Sequence, residues 1–230
     1  MQGLLLVDKP TDWTSFDVVN YVRRMVATAE GKKPKNVKVG HTGTLDPFAT
    51  GLLVLLVGKE YTKRAGELSK LDKTYEVTMI LGKTSTTGDP EGEIIAVSDV
   101  IPTLDQLTEA VGKFRGEIEQ VPPAYSAIKV NGQRAYKLAR EGKEVVIEPR
   151  KVTINSLDIL AYNYPEVKLV ANVSSGTYIR TLAEDIGKVL GTGAYTSALR
   201  RTEVGSFSTD QSTAVKEVDL NDLSVLTQTV

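Results

Sequence analysis

Apolar residues recur at helical spacing directly after a capping motif near the amino terminus. Thr14 precedes Asp17 by three residues, an arrangement typical of a helix start in which each side chain bonds the other residue's main chain. Apolar side chains then follow at intervals of three or four residues: Phe16, Val19, Val22 and Val26. This spacing predicts a helix that runs to about Ala29, with these four side chains on its apolar face.

Two further helices are predicted in the second half of the chain. Thr103 and Gln106 form another capping pair. The apolar face that follows them consists of Leu104, Leu107, Val111 and Phe114. A third helix is predicted over residues 178–190, because Gly191 is typical of a residue that ends a helix in the left-handed conformation.

Strand patterns lie between these helices. Residues 75–81 alternate between apolar and polar side chains, which predicts a strand with one buried face, and the unbroken apolar run at 52–57 predicts a strand buried on both faces. Residues 3–7, 151–160 and 167–174 are also predicted as strands. Because no regular strand–helix–strand repeat is present, the pattern predicts an α+β fold with a mixed, mostly antiparallel sheet flanked by helices and loops.

Composition excludes several classes of protein. The sequence contains no cysteine, so disulfides and thiolate metal sites are excluded, and a reducing cytoplasm is the expected location. The first apolar run stops at Asp8, which is too short for a signal peptide, and no stretch approaches the length of a membrane span. Net charge is only −1, but basic blocks at residues 1–70 and 110–151 flank an acidic block, an arrangement compatible either with a basic groove or with ordinary solvated surface.

Three common catalytic motifs are absent. Gly82-Lys83-Thr84 resembles the end of a phosphate-binding loop, but that motif requires a glycine where the chain has Val77. No G-x-S-x-G elbow is present. His41 is the only histidine, which excludes a histidine-based metal cluster, and we expect no metal site. Nucleotide hydrolysis, zinc chemistry and serine hydrolysis are therefore disfavoured.

The segment from Gly40 to Gly51 is the strongest candidate for a functional loop. It combines turn-forming residues, the only histidine and Asp46, and it directly precedes the predicted buried strand. An aspartate in such a loop is commonly a cap or turn residue. A carboxylate on a loop positioned by a core strand is also placed as catalytic groups often are.

Six segments of the chain, in order, resemble the motifs of the TruB family of tRNA pseudouridine synthases. Residues 40–51 are similar to the family's catalytic-aspartate motif, and residues 72–77 to the segment that carries its active-site tyrosine. The other similar segments are residues 81–92, residues 122–140, residues 175–180, and residues 191–194 together with 199–201. The resemblance covers residues 3 to about 207.

This resemblance implies the pseudouridine synthase fold and a domain organisation. Residues 1–207 are expected to form the catalytic domain, with a thumb-like RNA-binding insertion at about 122–150. Residues 208–230 are expected to be a short acidic tail, which is too short for the C-terminal RNA-binding domain of longer family members.

The resemblance also implies an activity, the conversion of the T-loop uridine at position 55 of tRNA to pseudouridine. The reaction is an isomerisation that needs no cofactor. Asp46 is implied as the catalytic carboxylate, Arg180 as the guanidinium that keeps it ionised, and Tyr75 as the aromatic that holds the flipped base. Taken alone, Arg180 is also compatible with an ordinary salt bridge and Tyr75 with a core aromatic.

Further substrate contacts are implied around this centre. His41 is expected beside the flipped base and Tyr178 beneath the catalytic group. The remaining implied contacts come from Lys9, Thr44, Leu199, Lys129, Arg134 and Lys137. The expected partner is the T-arm stem-loop of tRNA, bound by a monomer that needs no protein partner and no membrane.

Two other functions remain open. The catalytic subunits of guide-RNA pseudouridylation complexes share these motifs, and activity on bare tRNA separates them from stand-alone enzymes. A tRNA-folding chaperone without essential catalysis is the second alternative, and an annealing assay with an Asp46→Asn variant addresses it.

Overall fold

The computed structural model describes residues 1–126, 128–130, 132–143 and 145–224, with the main chain alone at Lys129 and Tyr136. The helices are α1 (Ser15–Ala29), α2 (Lys59–Lys63), α3 (Ala65–Leu68), α4 (Leu104–Gly112), α5 (Ala135–Arg140) and α6 (Ile179–Leu190). Short 3-10 helices are formed by Pro34–Asn36, Thr209–Gln211 and Leu220–Asp222. Within the described ranges, every helix is too short or too polar to cross a membrane.

The strands lie between these helices, often two or three in succession. They are β1 (Gly3–Lys9), β2 (Val39–His41), β3 (Thr50–Val57), β4 (Lys73–Leu81), β5 (Lys83–Ser85), β6 (Ile94–Ala96), β7 (Gly116–Gln120), β8 (Lys129–Val130), β9 (Gln133–Arg134), β10 (Arg150–Asn163), β11 (Glu166–Val173), β12 (Ala194–Val204), β13 (Phe207–Ser208) and β14 (Thr213–Ala214). The chain forms two compact units. Of the described residues, unit 1 contains 1–75 and 199–224, and unit 2 contains those between 76 and 198.

Unit 1 is built on β3, the strand that the apolar run predicted. Its strand order is β14-β1-β3-β12, with β2 also paired to β3. β1 is antiparallel to β3 from Gly3↔Val57 to Lys9↔Gly51, whereas β12 is parallel to it. Alternate residues of β3 enter two separate cores, Leu53, Leu55 and Val57 on one face and Leu52, Val54 and Leu56 on the other. Burial on both faces explains why the strand has no polar alternation.

Helix α1 begins at the predicted capping box, in which Asp17 N–H bonds Thr14 Oγ1 and Thr14 N–H bonds Asp17. The prediction of its buried face was wrong at Phe16, which is 61% exposed. Val18 is buried instead, together with Val19, Val22 and Val26. The buried stripe is displaced from Phe16 around the helix, so its ring remains outside the core and contacts the Arg23 guanidinium, 5.7 Å from the ring centroid.

Unit 2 contains the strand order β4-β11-β10-β7, and β10 is antiparallel to both of its neighbours. Helix α6 ends at Gly191 with φ 69°, as the sequence predicted. Helix α4 begins at the predicted Thr103 box, but its first residue, Leu104, is 55% exposed, so that part of the predicted buried face was wrong. The α+β class with a mixed, mostly antiparallel sheet is confirmed, since β1–β14 and β3–β12 are parallel among mainly antiparallel pairings.

Candidate active site

Asp46 lies on a loop of residues 42–49 that joins β2 to β3 in unit 1. The loop begins where Thr42 N–H donates to Val54 O at 3.1 Å, directly after the His41↔Leu55 pair of the β2–β3 ladder. It closes in a turn in which Ala49 N–H donates to Asp46 O at 3.1 Å. The Asp46 side chain is half-buried. We call this segment the Asp46 loop.

Ser15 anchors the Asp46 loop immediately before the aspartate. Its hydroxyl, in the first turn of α1, accepts a hydrogen bond from Leu45 N–H at 2.8 Å and donates one to Leu45 O at 3.0 Å. The side chain is 2% exposed. One hydroxyl therefore pairs both main-chain groups of the residue before Asp46, in a place where an unpaired polar group would be costly.

Lys9 anchors the residue after the aspartate. Its side chain is 0% exposed, and its ammonium donates to the carbonyl oxygens of Pro47 at 3.1 Å, Trp13 at 2.6 Å and Pro10 at 2.8 Å. Three carbonyl acceptors compensate for the loss of water around the buried charge. Lys9 therefore fixes the main chain beside Asp46, and its implied contact with substrate stays a prediction.

Arg201 on β12 holds the start of the loop and the strand that follows it. It is 1% exposed, and its guanidinium donates to Gly43 O at 3.0 Å and Leu52 O at 2.8 Å. The adjacent Gly51 has φ +101°, and a Cβ there would lie 2.2 Å from Arg201 O. Only glycine allows the two main chains to approach this closely. No local pattern predicts that this arginine is buried, and only its place in a segment similar to the family had marked it.

The other predicted site residues of unit 1 differ in exposure. Thr44 is exposed on the Asp46 loop, whereas Tyr75 on β4 and Leu199 on β12 are 8% exposed. His41 is half-buried, and its Nδ1 has no hydrogen-bond partner among the residues that the structure describes. Burial, followed by the nearby Arg201 charge, lowers the pKa of His41.

The protein's single histidine gives a direct test of this environment. The carbon-bound ring protons of His41 are expected to titrate in solution NMR with a midpoint below the ordinary value of 6.5. Because the folded pKa is depressed, the unfolded chain binds more protons as the pH falls below about 6.5, so this residue contributes a loss of stability on acidification. The urea-unfolded protein is the control. A folded midpoint at or above that of the unfolded chain would contradict the buried neutral imidazole.

Arg180, at the beginning of α6 in unit 2, is held by three acceptors. Its guanidinium donates to Asp89 Oδ2 at 3.0 Å, Thr87 O at 2.8 Å and Tyr125 O at 2.9 Å. The ion pair with Asp89 is buried, with side-chain exposures of 5% and 4%. No local pattern assigns a role to Asp89, because its partner Arg180 lies 91 positions away in the sequence.

Asp89 is itself fixed in place. Its other carboxylate oxygen accepts hydrogen bonds from Thr87 Oγ1 at 2.5 Å and from Glu91 N–H at 3.0 Å. Both carboxylate oxygens of Asp89 are thereby hydrogen-bonded, so the carboxylate is held in one orientation against the Arg180 guanidinium. The predicted pairing of Arg180 with Asp46 stays a prediction.

Tyr178, the residue that caps α6, is held by a glutamine that the sequence did not reveal. Gln120 is 1% exposed; it accepts a hydrogen bond from Tyr178 N–H at 2.8 Å and donates one to Tyr178 O at 3.0 Å. This reciprocal pair fixes the main chain at the start of the helix that carries Arg180.

The predicted RNA contacts of the thumb-like insertion also lie in unit 2. Arg134 and Lys137 are exposed at the end of β9 and on α5. The side chain of Lys129 lies outside the described residues. Over the described part of the chain, no three histidine, aspartate or glutamate side chains are placed to hold a metal ion.

Comparison of the sequence with known families gives two matches. The model of the TruB family pseudouridylate synthase N-terminal domain matches residues 30–179, and that of the tRNA pseudouridylate synthase B C-terminal domain matches residues 180–229. Among solved structures, the chain is similar to the Cbf5-Nop10-Gar1 complex, with 27% identity and a TM-score of 0.68 over 93% of this chain. The chain spans about half, 52%, of that protein.

Curated relatives agree with the family models. A protein from Pseudomonas aeruginosa named tRNA pseudouridine synthase B is 47% identical over 95% of this chain and 69% of its own length. A protein of the same name from Protochlamydia amoebophila is 43% identical over 90% of this chain and 76% of its own length. The N-terminal model alone matches more than half of the chain, and the Asp46 loop, β4 and the first residue of α6 all fall within it. The chain therefore belongs to the TruB family of pseudouridylate synthases.

Proposed function

We propose that the protein converts the T-loop uridine at position 55 of tRNA to pseudouridine and that Asp46 is its catalytic carboxylate. The observation that carries this proposal is the Asp46 loop. Buried Ser15, Lys9 and Arg201 bond the main chain on both sides of the aspartate while its side chain stays half-buried. A catalytic carboxylate needs this combination of fixed position and partial access. The relatives from Pseudomonas aeruginosa and Protochlamydia amoebophila, both named tRNA pseudouridine synthase B, support tRNA as the substrate.

The reaction rearranges bonds within one nucleotide. The glycosidic bond between N1 and C1′ breaks, the uracil turns, a bond forms between C5 and C1′, the proton on C5 is lost and N1 gains a proton. Asp46 either attacks the uridine or stabilises the positive charge that develops at C1′. No oxidant, reductant or added group is consumed, so the chemistry requires a carboxylate, a proton carrier and a pocket for the flipped base.

Arg180 supports this chemistry through its charge. A guanidinium near Asp46 favours the ionised carboxylate and lowers its proton affinity. Its contacts with Asp89, Thr87 and Tyr125 fix the orientation of the fork in advance. A group held in place before substrate binds needs no reorganisation during the reaction.

Tyr75 is proposed to support the flipped base and to move a proton through its hydroxyl. Tyr75→Phe is expected to retain substrate binding but to lower kcat about tenfold or more, because the ring remains while the hydroxyl is lost. Tyr75→Ala is expected to raise KM as well, because the aromatic surface is lost. Tyr195 on β12, at 9% exposure, offers a matched control in Tyr195→Phe, which should retain near-wild-type kcat. Equal kcat for Tyr75→Phe and the wild type would leave Tyr75 with a stacking role alone.

Incubation with a bare, unmodified tRNA transcript tests the proposed function. Chemical mapping should reveal one pseudouridine, in the T-loop, without guide RNA, added protein or cofactor. A second candidate is the catalytic subunit of a guide-RNA complex, and the similarity to the multi-component Cbf5-Nop10-Gar1 complex is the observation that favours it. No product on bare tRNA but product after addition of guide RNA would support that candidate. We further propose that the enzyme acts as a monomer in the cytoplasm.

A further inference from the structure

Unit 1 carries an exposed group of four lysines that form no salt bridge with any carboxylate in the described part of the chain. It consists of Lys33, Lys35, Lys38 and Lys59, and we call it the lysine cluster. Gly58 N–H donates to Lys38 O at 2.8 Å, so the main chain at Lys59 lies next to the segment that carries the other three lysines. Across the residues that the structure describes, none of the four forms a salt bridge.

Other surface lysines have local counter-charges. Lysines that pair with an aspartate or glutamate include Lys63, Lys113, Lys143, Lys151, Lys168 and Lys188. Between residues 31 and 59, by contrast, Asp46 is the only acidic residue. The next one, Glu60, lies close enough to feel the charge of Lys59 but forms its salt bridge with Lys63. The nearby Glu30 is already bonded to the amino terminus and to Lys32. The cluster is therefore a local excess of positive charge on a protein whose net charge is −1.

The main chain beneath the cluster is ordered by its own contacts. The 3-10 helix Pro34–Asn36 is closed by hydrogen bonds from Asn36 N–H to Lys33 O at 2.9 Å and from Val37 N–H to Pro34 O at 3.1 Å. The Val37 side chain is buried, 7% exposed, in the same core as α1. The lysines thus project from a fixed platform, which reduces the entropy lost when they bind an anion.

The cluster lies at the opposite end of β3 from the Asp46 loop. β3 begins at Thr50, just after that loop, and ends at Val57, beside Gly58 and Lys59. Seven residue steps along a strand correspond to about 23 Å. An anion bound at the cluster is therefore far from the reacting base, and a ligand that reaches both places must be long and carry negative charge along its length.

We propose that the lysine cluster is a second RNA-binding surface, which holds phosphates of the tRNA backbone at a distance from the flipped uridine. The inference rests on the proposed function, because it takes tRNA as the ligand. Phosphate contacts of this kind position the RNA and carry no sequence information. The cluster thus supplies affinity, while the site around Asp46 selects the base.

Substitution of all four lysines by glutamine tests this surface. Binding of whole tRNA to Lys33→Gln/Lys35→Gln/Lys38→Gln/Lys59→Gln should weaken by about tenfold or more at 0.1 M salt. The slope of log K against log salt should become shallower by about three, because four phosphate contacts are lost. At saturating tRNA, kcat should not change, since the lysines take no part in the chemistry.

The matched control is a variant with the same change in net charge at exposed lysines elsewhere, Lys113→Gln/Lys168→Gln/Lys188→Gln/Lys216→Gln. The control should retain the wild-type affinity and slope, and both variants should retain the wild-type melting temperature. Equal tRNA binding by the cluster variant and the control would overturn the proposal. So would cluster-dependent binding to phosphatidylserine vesicles without an effect on tRNA. Failure of the proposed function would differ, because tRNA binding would persist without pseudouridine formation.

Discussion

Asp46→Asn is expected to bind tRNA with nearly wild-type affinity but to lower kcat by at least about a thousandfold. The amide has the size of the carboxylate but neither its negative charge nor its nucleophilicity. The fold should persist, because the substitution leaves the main-chain hydrogen bond from Ala49 N–H to Asp46 O and the Ser15, Lys9 and Arg201 anchors in place. Single-turnover formation of pseudouridine and equilibrium tRNA binding are the two measurements.

Asp210→Asn is the matched control for this prediction. Asp210 is an exposed aspartate in a 3-10 helix of the same unit, so the substitution removes the same charge without altering the Asp46 loop. It should leave kcat unchanged. If Asp46→Asn retained near-wild-type turnover, another group would be the catalytic carboxylate and the role assigned to the loop would be wrong.

Arg180→Lys is expected to lower kcat/KM by about a hundredfold, equivalent to about 2.7 kcal/mol of transition-state stabilisation. Lysine keeps the positive charge, but one ammonium cannot reproduce the planar geometry that bonds Asp89, Thr87 and Tyr125 together. The charge would then adopt a different position relative to the acceptors. Steady-state kinetics at a temperature well below unfolding measures the effect.

Arg115→Lys provides the control for the same chemical change. The Arg115 guanidinium also donates to a carbonyl, Leu157 O, and to a carboxylate, Asp158, but this pair is exposed. Replacement of Arg115 by lysine should change kcat/KM little, because an exposed ion pair contributes only about 0–1 kcal/mol to stability. A fully active Arg180→Lys would show that the fork geometry is unimportant, whereas equal losses in both variants would indicate a general effect of replacing arginine.

Local patterns predicted the elements that depend on neighbouring residues. Both capping boxes, at Thr14 and Thr103, form as expected, because the interacting groups are three residues apart. The left-handed Gly191 also ends α6 as expected. Burial was harder to predict: Phe16 and Leu104 fit the helical period, yet each lies outside the face that packs on its core. Periodicity defines an apolar stripe on a helix, but the core against which the helix packs determines which residues of that stripe are buried.

The sequence revealed less about what holds the candidate site. Asp46 was conspicuous because it lies in a dense run of turn-forming residues. Its anchors are non-local: Ser15 bonds Leu45 from 30 positions away, and Arg201 bonds Gly43 from 158 positions away. Arg180 and Asp89 are similarly distant in sequence. A buried polar residue with a distant partner leaves no periodic signal, so these contacts emerge only from the fold.

The hydroxyl of Ser15 also couples the motion of the Asp46 loop to that of the first turn of α1. If Leu45 moved away from the first turn of α1, a buried hydroxyl, an amide and a carbonyl would each lose a partner, at about 1–3 kcal/mol for each group. Opening of the loop at Leu45 is therefore coupled to fraying of the first turn, which the Thr14 capping box opposes. The amide of Leu45 should then share the slow hydrogen exchange of the helix, even though it lies one residue from the half-buried Asp46.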